Sequence, residues 1–289
     1  MDRRLESFIE LCKNMNYRIT AEKLHISQPA LTKQMQSLEE ELGIKLFIYD
    51  GRKLVRSEKS YILEQYAYSQ RKNYQDLLAD LDRREKKTIR IGLTKTIGEY
   101  AIRDRLHDYI FSHQENIEIT VENTEYLIKM LKDCQKDFLI LEGNFDKKYF
   151  AHRVLSVEKF TGLCAKKHPF AGKELEVTDL FDQVLFIREQ GSGSREIFEQ
   201  DLAKHGYRVE DFQRTISISS LRLIANYVES NLGITFAYDS LIQRHPGLAS
   251  FKVRGLSDDH EFNIVWLKDT RVEELIDYFF QADPEEGDT

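Results

Sequence analysis

Between Thr20 and Gly43 the chain specifies a helix, a tight turn and a second helix whose start and stop are both written in residue type. Leu31, Met35, Leu38 and Leu42 recur at intervals of four, three and four, which is one apolar stripe of an α-helix. Ser27 stands where an N-cap accepts from first-turn amides, and Pro29 falls in the first turn, where its missing N–H is harmless. Gly43 fits the left-handed residue that ends a helix. The opposite side is polar: Gln28, Thr32 and Gln36 stack a turn apart with Lys33 beside them, so amide, hydroxyl and ammonium groups leave the helix start together. Such groups suit base edges and phosphates. On periodicity alone, an amphipathic surface helix in a bundle fits as well.

The neighbouring segments favour a nucleic-acid reader. Upstream, Leu5, Phe8, Ile9 and Cys12 form a first apolar stripe; downstream, the runs Lys45 to Tyr49 and Lys53 to Arg56 flank Asp50-Gly51, a strong hairpin signal. Three helices and a hairpin whose tip carries Arg52 and Lys53 make a winged helix-turn-helix. Its third helix would enter the major groove while the wing reaches the backbone or minor groove.

The segments Ala21-Glu22-Lys23-Leu24-His25-Ile26-Ser27-Gln28-Pro29-Ala30-Leu31-Thr32-Lys33-Gln34 and Leu38-Glu39-Glu40-Glu41-Leu42-Gly43-Ile44-Lys45-Leu46-Phe47 resemble the LysR-type transcriptional regulators. The resemblance implies a dimerising linker helix after the wing, then an effector domain of two α/β subdomains like a periplasmic binding protein. It also places Gln28, Pro29, Thr32, Lys33 and the wing residue Arg52 at the DNA. Two departures stand out. Where the family has Gly-Ser-Phe-Thr and a small pair, this chain has Met15-Asn16-Tyr17-Arg18-Ile19-Thr20, so Arg18 replaces the usual threonine cap. Asn16 is then the candidate cap, and Arg18 a candidate phosphate contact. After the wing, Ser57-Glu58-Lys59-Ser60 replaces Thr-x-Ala-Gly, which implies a stiffer hinge.

A net charge of −7 over 289 residues at first argues against nucleic acid. Its distribution answers the objection, because residues 1–58 carry about as many bases as acids, and Glu39-Glu40-Glu41 sits at the far end of the recognition helix. Modest nonspecific affinity is the expectation. Cys12, Cys134 and Cys164 are far apart with no C-x-x-C spacing, which indicates buried apolar residues in place of a disulfide framework or zinc site. The acids in Met1 to Glu6 speak against a signal peptide, and no apolar run approaches the roughly 20 residues that span a bilayer. The expected location is the cytoplasm, at the nucleoid, with no membrane partner.

From Ser57 to about Arg84 there is neither glycine nor proline, and Ile62, Tyr66, Tyr74, Leu77 and Leu81 fall near heptad spacing. This predicts one helix of roughly 40 Å and a coiled-coil seam between two chains; Gln70 and Asn73 interrupt the stripe, so a solvated helix on its own domain is the alternative. From Thr88 short β runs alternate with helices. Thr88 to Leu93, Ile117 to Val121 and Asp137 to Leu141 bracket helices near Ile102 to Ser112 and Glu125 to Cys134, a βαβαβ unit. A second unit takes strands from Phe160 to Ala165, Val184 to Ile187, Ile216 to Ile218 and Gly233 to Phe236, with helices near Ser194 to His205 and Ser220 to Ser230. Glu261 to Leu267 leads into a last helix, Val272 to Phe280, which by resemblance returns to the first subdomain. The expected division is a winged helix-turn-helix domain at 1–58, a linker helix at 59–87 and an α/β effector domain at 88–289. Within the last, subdomain I covers about 88–160 and 268–289, and subdomain II about 161–267.

Two open sheets leave a cleft at the carboxyl ends of their strands. Thr94 and Thr96 follow the first strand, Ser192 and Ser194 precede a helix, and Ser219 and Ser220 open another. Helix N-termini and hydroxyls suit a carboxylate or other anion, although Ser and Thr are also ordinary caps and Gly-Ser-Gly-Ser an ordinary loop. The family resemblance makes effector binding near Thr94, Thr96 and Ser219 the expectation.

Gly191-Ser192-Gly193-Ser194 lacks a P-loop lysine and does not match G-x-S-x-G, and the histidines show no H-E-x-x-H spacing. A hydrolase using Ser192 or Ser194 therefore lacks a base, and neither enzyme activity nor a cofactor is expected. The reading is a ligand-responsive transcriptional regulator acting on inverted-repeat promoter DNA as a homodimer or homotetramer, and touching RNA polymerase if it activates. The alternative is a cytoplasmic small-molecule binding protein without sequence-specific DNA binding.

Overall fold

The computed structural model describes residues 1–81, 88–101, 107, 110, 115–256 and 259–280. Of the helix expected near Ile102 to Ser112 only His107 and Ile110 are described, and the linker end at 82–87 lies outside the described residues.

The N-terminal unit is three helices and a hairpin. Helix α1 (Arg3–Asn14) starts on Asp2, which accepts from the Arg4 amide at 2.8 Å. Asn16 caps α2 (Tyr17–Lys23), accepting from the Ile19 amide at 3.1 Å, so the cap does survive the replacement at Arg18. Ser27 caps α3 (Gln28–Leu42) through the Ala30 amide at 3.3 Å, and Gly43 ends it at φ 63°. Leu31, Met35 and Leu38 are buried with Phe8, Ile9 and Leu46, whereas Leu42 is exposed. Strands β1 (Phe47–Asp50) and β2 (Lys53–Arg56) pair antiparallel with Asp50 opposite Lys53. Gly51, first of the two loop residues, has φ 59°, a value that primed hairpin turns require and glycine adopts freely.

Helix α4 (Glu58–Leu81) buries Ser60, Glu64, Ala67, Tyr68 and Lys72 on one side. That side packs on α1 and on the effector domain, so one apolar core runs from Phe8 and Ile9 through Tyr68 to Leu127, Leu131 and Phe150. Ion pairs flank this core: Lys13 reaches Asp133 at 2.5 Å, and Lys72 reaches Asp137 at 2.9 Å. On the other side Ile62, Tyr66, Tyr74, Leu77 and Leu81 are exposed. The helix thus packs on its own domain along one face and keeps an uncovered apolar stripe along the other.

The effector domain has two lobes. In lobe I, β3 (Thr88–Thr94) lies between parallel neighbours β4 (Asn116–Glu122) and β5 (Phe138–Glu142), with α5 (Thr124–Lys132) as the crossover between them. Strand β6 (Phe150–Ala165) is 16 residues long and belongs to both lobes. Its first part pairs with β12 (Asp259–Leu267), its last part with β10 (Thr235–Tyr238) and β11 (Leu248–Val253). A short β7 (Glu174–Leu175) edges β11. In lobe II, β8 (Val184–Ile187) pairs parallel with β9 (Arg214–Ser217) on one side and bridges Ile234, just before β10, on the other. Helices α6 (Gly193–Lys204) and α7 (Leu221–Glu229) are its crossovers, and α8 (Ser240–Arg244) and α9 (Val272–Phe280) are the remaining α-helices among the described residues.

One boundary differs from the sequence reading. Strand β12 pairs with β5 and the first part of β6, so the return to lobe I is made by this strand and not by the helix after Leu267. Phe262 to Leu267 are buried without interruption, the pattern of a central strand covered on both faces.

Candidate functional sites: recognition helix, wing and inter-lobe cleft

The polar face of α3 is uncovered. Gln28, Pro29, Lys33 and Gln36 are exposed and Thr32 is half-buried, its hydroxyl donating to the Gln28 carbonyl at 3.0 Å. Ser27 is exposed at the cap, Arg18 is exposed on α2, and Arg52 and Lys53 are exposed on the hairpin. Among the described residues no ion pair holds Arg18, Lys33, Arg52 or Lys53. Other bases nearby are committed elsewhere: Arg56 meets Glu64 at 2.7 Å and Lys45 meets Glu39 at 2.7 Å. The acids of α3 differ: Glu40 is exposed, while Glu39 and Glu41 have partners. Glu39 is buried and accepts from the Leu46 amide at 2.8 Å, and Glu41 meets Arg4 at 2.6 Å. Arg18, Lys33, Arg52 and Lys53 thus leave unpaired positive charge at the surface of the helix-turn-helix and its wing.

The cleft is built from two topologically matched strands. In lobe I the chain leaves β3, forms β4 on one side and returns to form β5 on the other; in lobe II, β8 stands in the same relation to β9 and β10. Each is a point where strand order reverses, and a crevice opens beyond the carboxyl end of such strands. Lys95 directly follows β3, and Arg188 and Glu189 directly follow β8.

These residues meet. Lys95 Nζ donates to Glu189 Oε1 at 3.1 Å and to the Ser219 carbonyl at 3.3 Å, crossing from lobe I to lobe II. Arg188 Nε donates to Glu189 Oε2 at 2.8 Å and Nη2 to Oε1 at 3.2 Å. Burial works to raise the Glu189 pKa, but Arg188 and Lys95 outweigh it and hold the carboxyl below its usual range. Arg188 is 4% exposed, and its Nη1 is buried without a hydrogen-bond partner. Thr94 and Thr96 are buried beside Glu142, with the Thr94 hydroxyl donating to Glu142 Oε2. Burial raises the Glu142 pKa, against the pull of Thr94, the backbone, Arg188 and Thr96.

The serines behave differently from one another. Ser192 and Ser194 are buried, with their hydroxyls 3.1 Å apart at the start of α6. Between them a Cβ on Gly193 would lie 2.4 Å from the Glu142 carbonyl oxygen, so this loop is wedged against the end of β5. Ser219 and Ser220 are exposed; Ser220 caps α7 through the Leu223 amide at 3.3 Å, and Ser219 gives its carbonyl to Lys95. An opening of about 420 Å³ beside Gly191 and Ser192 has four acids, Glu125, Asp146, Glu196 and Glu199, against two bases, Lys132 and Arg195, in its wall, so negative charge predominates there. The structure thus gathers Thr94, Thr96 and Ser219 around Lys95, which the sequence places at the rim without a role, and around three groups the sequence reading did not assign: Glu142, Arg188 and Glu189. A signal for them existed, because Glu142 and Arg188-Glu189 are charged residues ending or following apolar parallel strands.

Cys12 and Cys164 are buried and Cys134 is half-buried, all three thiols being pushed up by burial. Among the described residues no group of His, Cys, Asp and Glu could hold a metal, and no helix is long and apolar enough to cross a membrane.

A winged helix-turn-helix joined by a long helix to a two-lobed α/β receptor defines the class: a DNA-binding module coupled to a small-molecule-binding fold. Residues 3–59 match the family of bacterial regulatory helix-turn-helix proteins of the lysR type, and residues 82–283 match the LysR substrate binding domain. The chain belongs to the LysR family of transcriptional regulators. It is 26% identical over 245 residues to the HTH-type transcriptional regulator CysL of Bacillus subtilis, covering 83% of this chain and 81% of that one. A hydrogen-peroxide-bound OxyR mutant from Corynebacterium glutamicum superposes with TM-score 0.60 at 21% identity, covering 97% and 90% of the two chains. The regulatory domain of CcmR from Synechocystis PCC6803, in complex with 2-PG, gives TM-score 0.60 at 17% identity, covering 69% of this chain and 98% of that one.

Proposed function

We propose that this regulator reads an inverted repeat in promoter DNA as a homodimer, or as a tetramer of two such dimers, and that a small anion in the inter-lobe cleft sets its state. Gln28, Thr32 and Gln36 would face base edges, with Ser27, Pro29, Arg18, Lys33, Arg52 and Lys53 at the phosphates. One recognition helix covers a few base pairs, so two must be held at fixed spacing; the exposed stripe from Ile62 to Leu81 supports α4 in that role. In the cleft Thr94, Thr96 and Ser219 would contact the effector, while Ser192, Ser194 and Ser220 shape the junction around it. The effector would act by shifting the population of lobe arrangements, and through them half-site spacing. The protein would act at the nucleoid in the cytoplasm, contacting RNA polymerase if it activates, and would catalyse no reaction.

The observation that carries this reading is that cations from the two switch points, Lys95 and Arg188, converge between the lobes. The test is a thermal-shift screen of anionic metabolites on the full chain, followed by anisotropy on a duplex selected from random sequence. A stabilising anion should change DNA affinity or site spacing, and Thr96→Val should remove that response while leaving basal binding intact. A normal response in Thr96→Val would move the pocket elsewhere.

A further inference from the structure

We propose that the Glu189 carboxylate is a built-in occupant of the effector's anion site, holding Lys95 and Arg188 together until an external anion displaces it. This rests on the cleft reading above and adds the chemistry of the ligand: an anionic group with at least two oxygens, able to bridge a lysine and an arginine.

The geometry points to a competitor more than to a fixed structural pair. Glu189 Oε1 accepts from both Lys95 Nζ, at 3.1 Å, and Arg188 Nη2, at 3.2 Å, while Oε2 accepts from Arg188 Nε at 2.8 Å. A single carboxylate thus stitches a lobe I cation to a lobe II cation, the contact an effector must make to join the lobes. The guanidinium is undersaturated: Nη1 is enclosed without an acceptor, an arrangement that leaves donor capacity for a guest. Two cations and one carboxylate leave a surplus positive charge. Burial raises the pKa of the neighbouring Glu142 and so works against its charged form, whereas Glu189 is held charged by Arg188 and Lys95. Glu189 and Lys95 are each about one-fifth exposed, so this carboxylate can swing out to water, whereas Arg188 at 5% side-chain exposure stays in place. Thr94 and Thr96, whose hydroxyls are turned to Glu142, flank Lys95 in the chain.

The test uses full-length protein and sodium sulfate as probe, titrated by calorimetry at constant ionic strength. Glu189→Gln removes the competing charge and keeps the shape. It should bind sulfate at least about tenfold more tightly than the native chain, equivalent to about 1.4 kcal/mol, and Glu189→Gln combined with Arg188→Gln should abolish the gain. As a second reading that does not depend on sulfate, Glu189→Ala should be stabilised saturably by acetate, which fills the vacated position, while the native chain is not. Equal or weaker sulfate binding in Glu189→Gln, or a gain that survives loss of Arg188, overturns the proposal. If that happens while Thr96→Val still weakens sulfate binding, the cleft reading stands and only the competitor role falls. If Thr96→Val also changes nothing, both fall.

Discussion

Lys72 on α4 is the residue whose removal best tests whether the linker helix is fastened to the effector domain. Its ammonium lies 2.9 Å from Asp137 Oδ1 and also touches Asp76 one turn along the helix. The Lys72 and Asp137 side chains are 6% and 7% exposed, and the other Asp137 oxygen accepts from the Arg90 amide at 2.7 Å. At an effective dielectric constant of about 20 the pair attracts by about 6 kcal/mol, most of it offset by desolvation. Breaking such a pair costs more than forming it yields, because one charge stays buried, and about 3–5 kcal/mol is the usual loss. Lys72→Met keeps the apolar stem and strands Asp137, so the urea midpoint should fall accordingly and the melting temperature by about 10 °C. The double variant Lys72→Met with Asp137→Leu should recover most of that loss. The pH dependence carries a sign. Burial works to lower the Lys72 pKa, but Asp137 and Asp76 outweigh it and raise it above 10.5. This contribution is therefore fully present below about pH 10.5 and is lost as pH rises through the folded value. A Lys72→Met variant within about 0.5 kcal/mol of the native chain, or a double variant as unstable as the two singles added, would falsify the fastening argument.

Further outcomes are expected elsewhere in the molecule. Gln28→Ala should cost roughly 1–3 kcal/mol on the cognate site and relax base preference there; an equal loss on all sequences, read by anisotropy, would remove the base-reading role. Arg52→Ala should lower the salt slope of DNA binding by about one phosphate contact, and an unchanged slope would take the wing off the DNA. Glu142, raised by burial above its ordinary 4.5, makes native stability fall as pH rises from the unfolded value towards the folded one. Glu142→Gln should lose that dependence, visible as a flatter stability profile above pH 4.5; parallel profiles would show that Glu142 is not the source. Leu77→Glu on the exposed stripe of α4 should leave stability within about 0.5 kcal/mol yet shift sedimentation towards monomer, and an unchanged assembly would place the seam elsewhere.

Much of this architecture was legible in residue order. Caps at Ser27 and Asn16, the stop at Gly43 and the hairpin at Gly51 are local devices, and local devices are readable because the residue type itself makes the hydrogen bond or permits the dihedral. Strand β6 was read only from Phe160 onward, since its first half alternates between half-buried and exposed positions around charged residues, with no continuous apolar run. The placement of β12 in lobe I was equally hidden, because pairing partner is a property of topology and not of composition. In the cleft, hydroxyls are legible from turn chemistry and the charges from their place at strand ends, but the meeting of Lys95 with Arg188 and Glu189 is not. Lys95 stands 94 residues before Glu189 and meets the adjacent Arg188-Glu189 pair only because two separate units place equivalent strand ends face to face.

The 16-residue ribbon of β6 also dictates how the receptor can move. A strand hydrogen-bonded to β12 at one end and to β10 and β11 at the other behaves as a torsion bar: its ladders resist stretching and shear, but tolerate a change of coiling. Ligand-driven motion should therefore be a screw-like rotation of one sheet against the other, spread over several residues near Lys159 and Phe160, with no single pivot to mutate away.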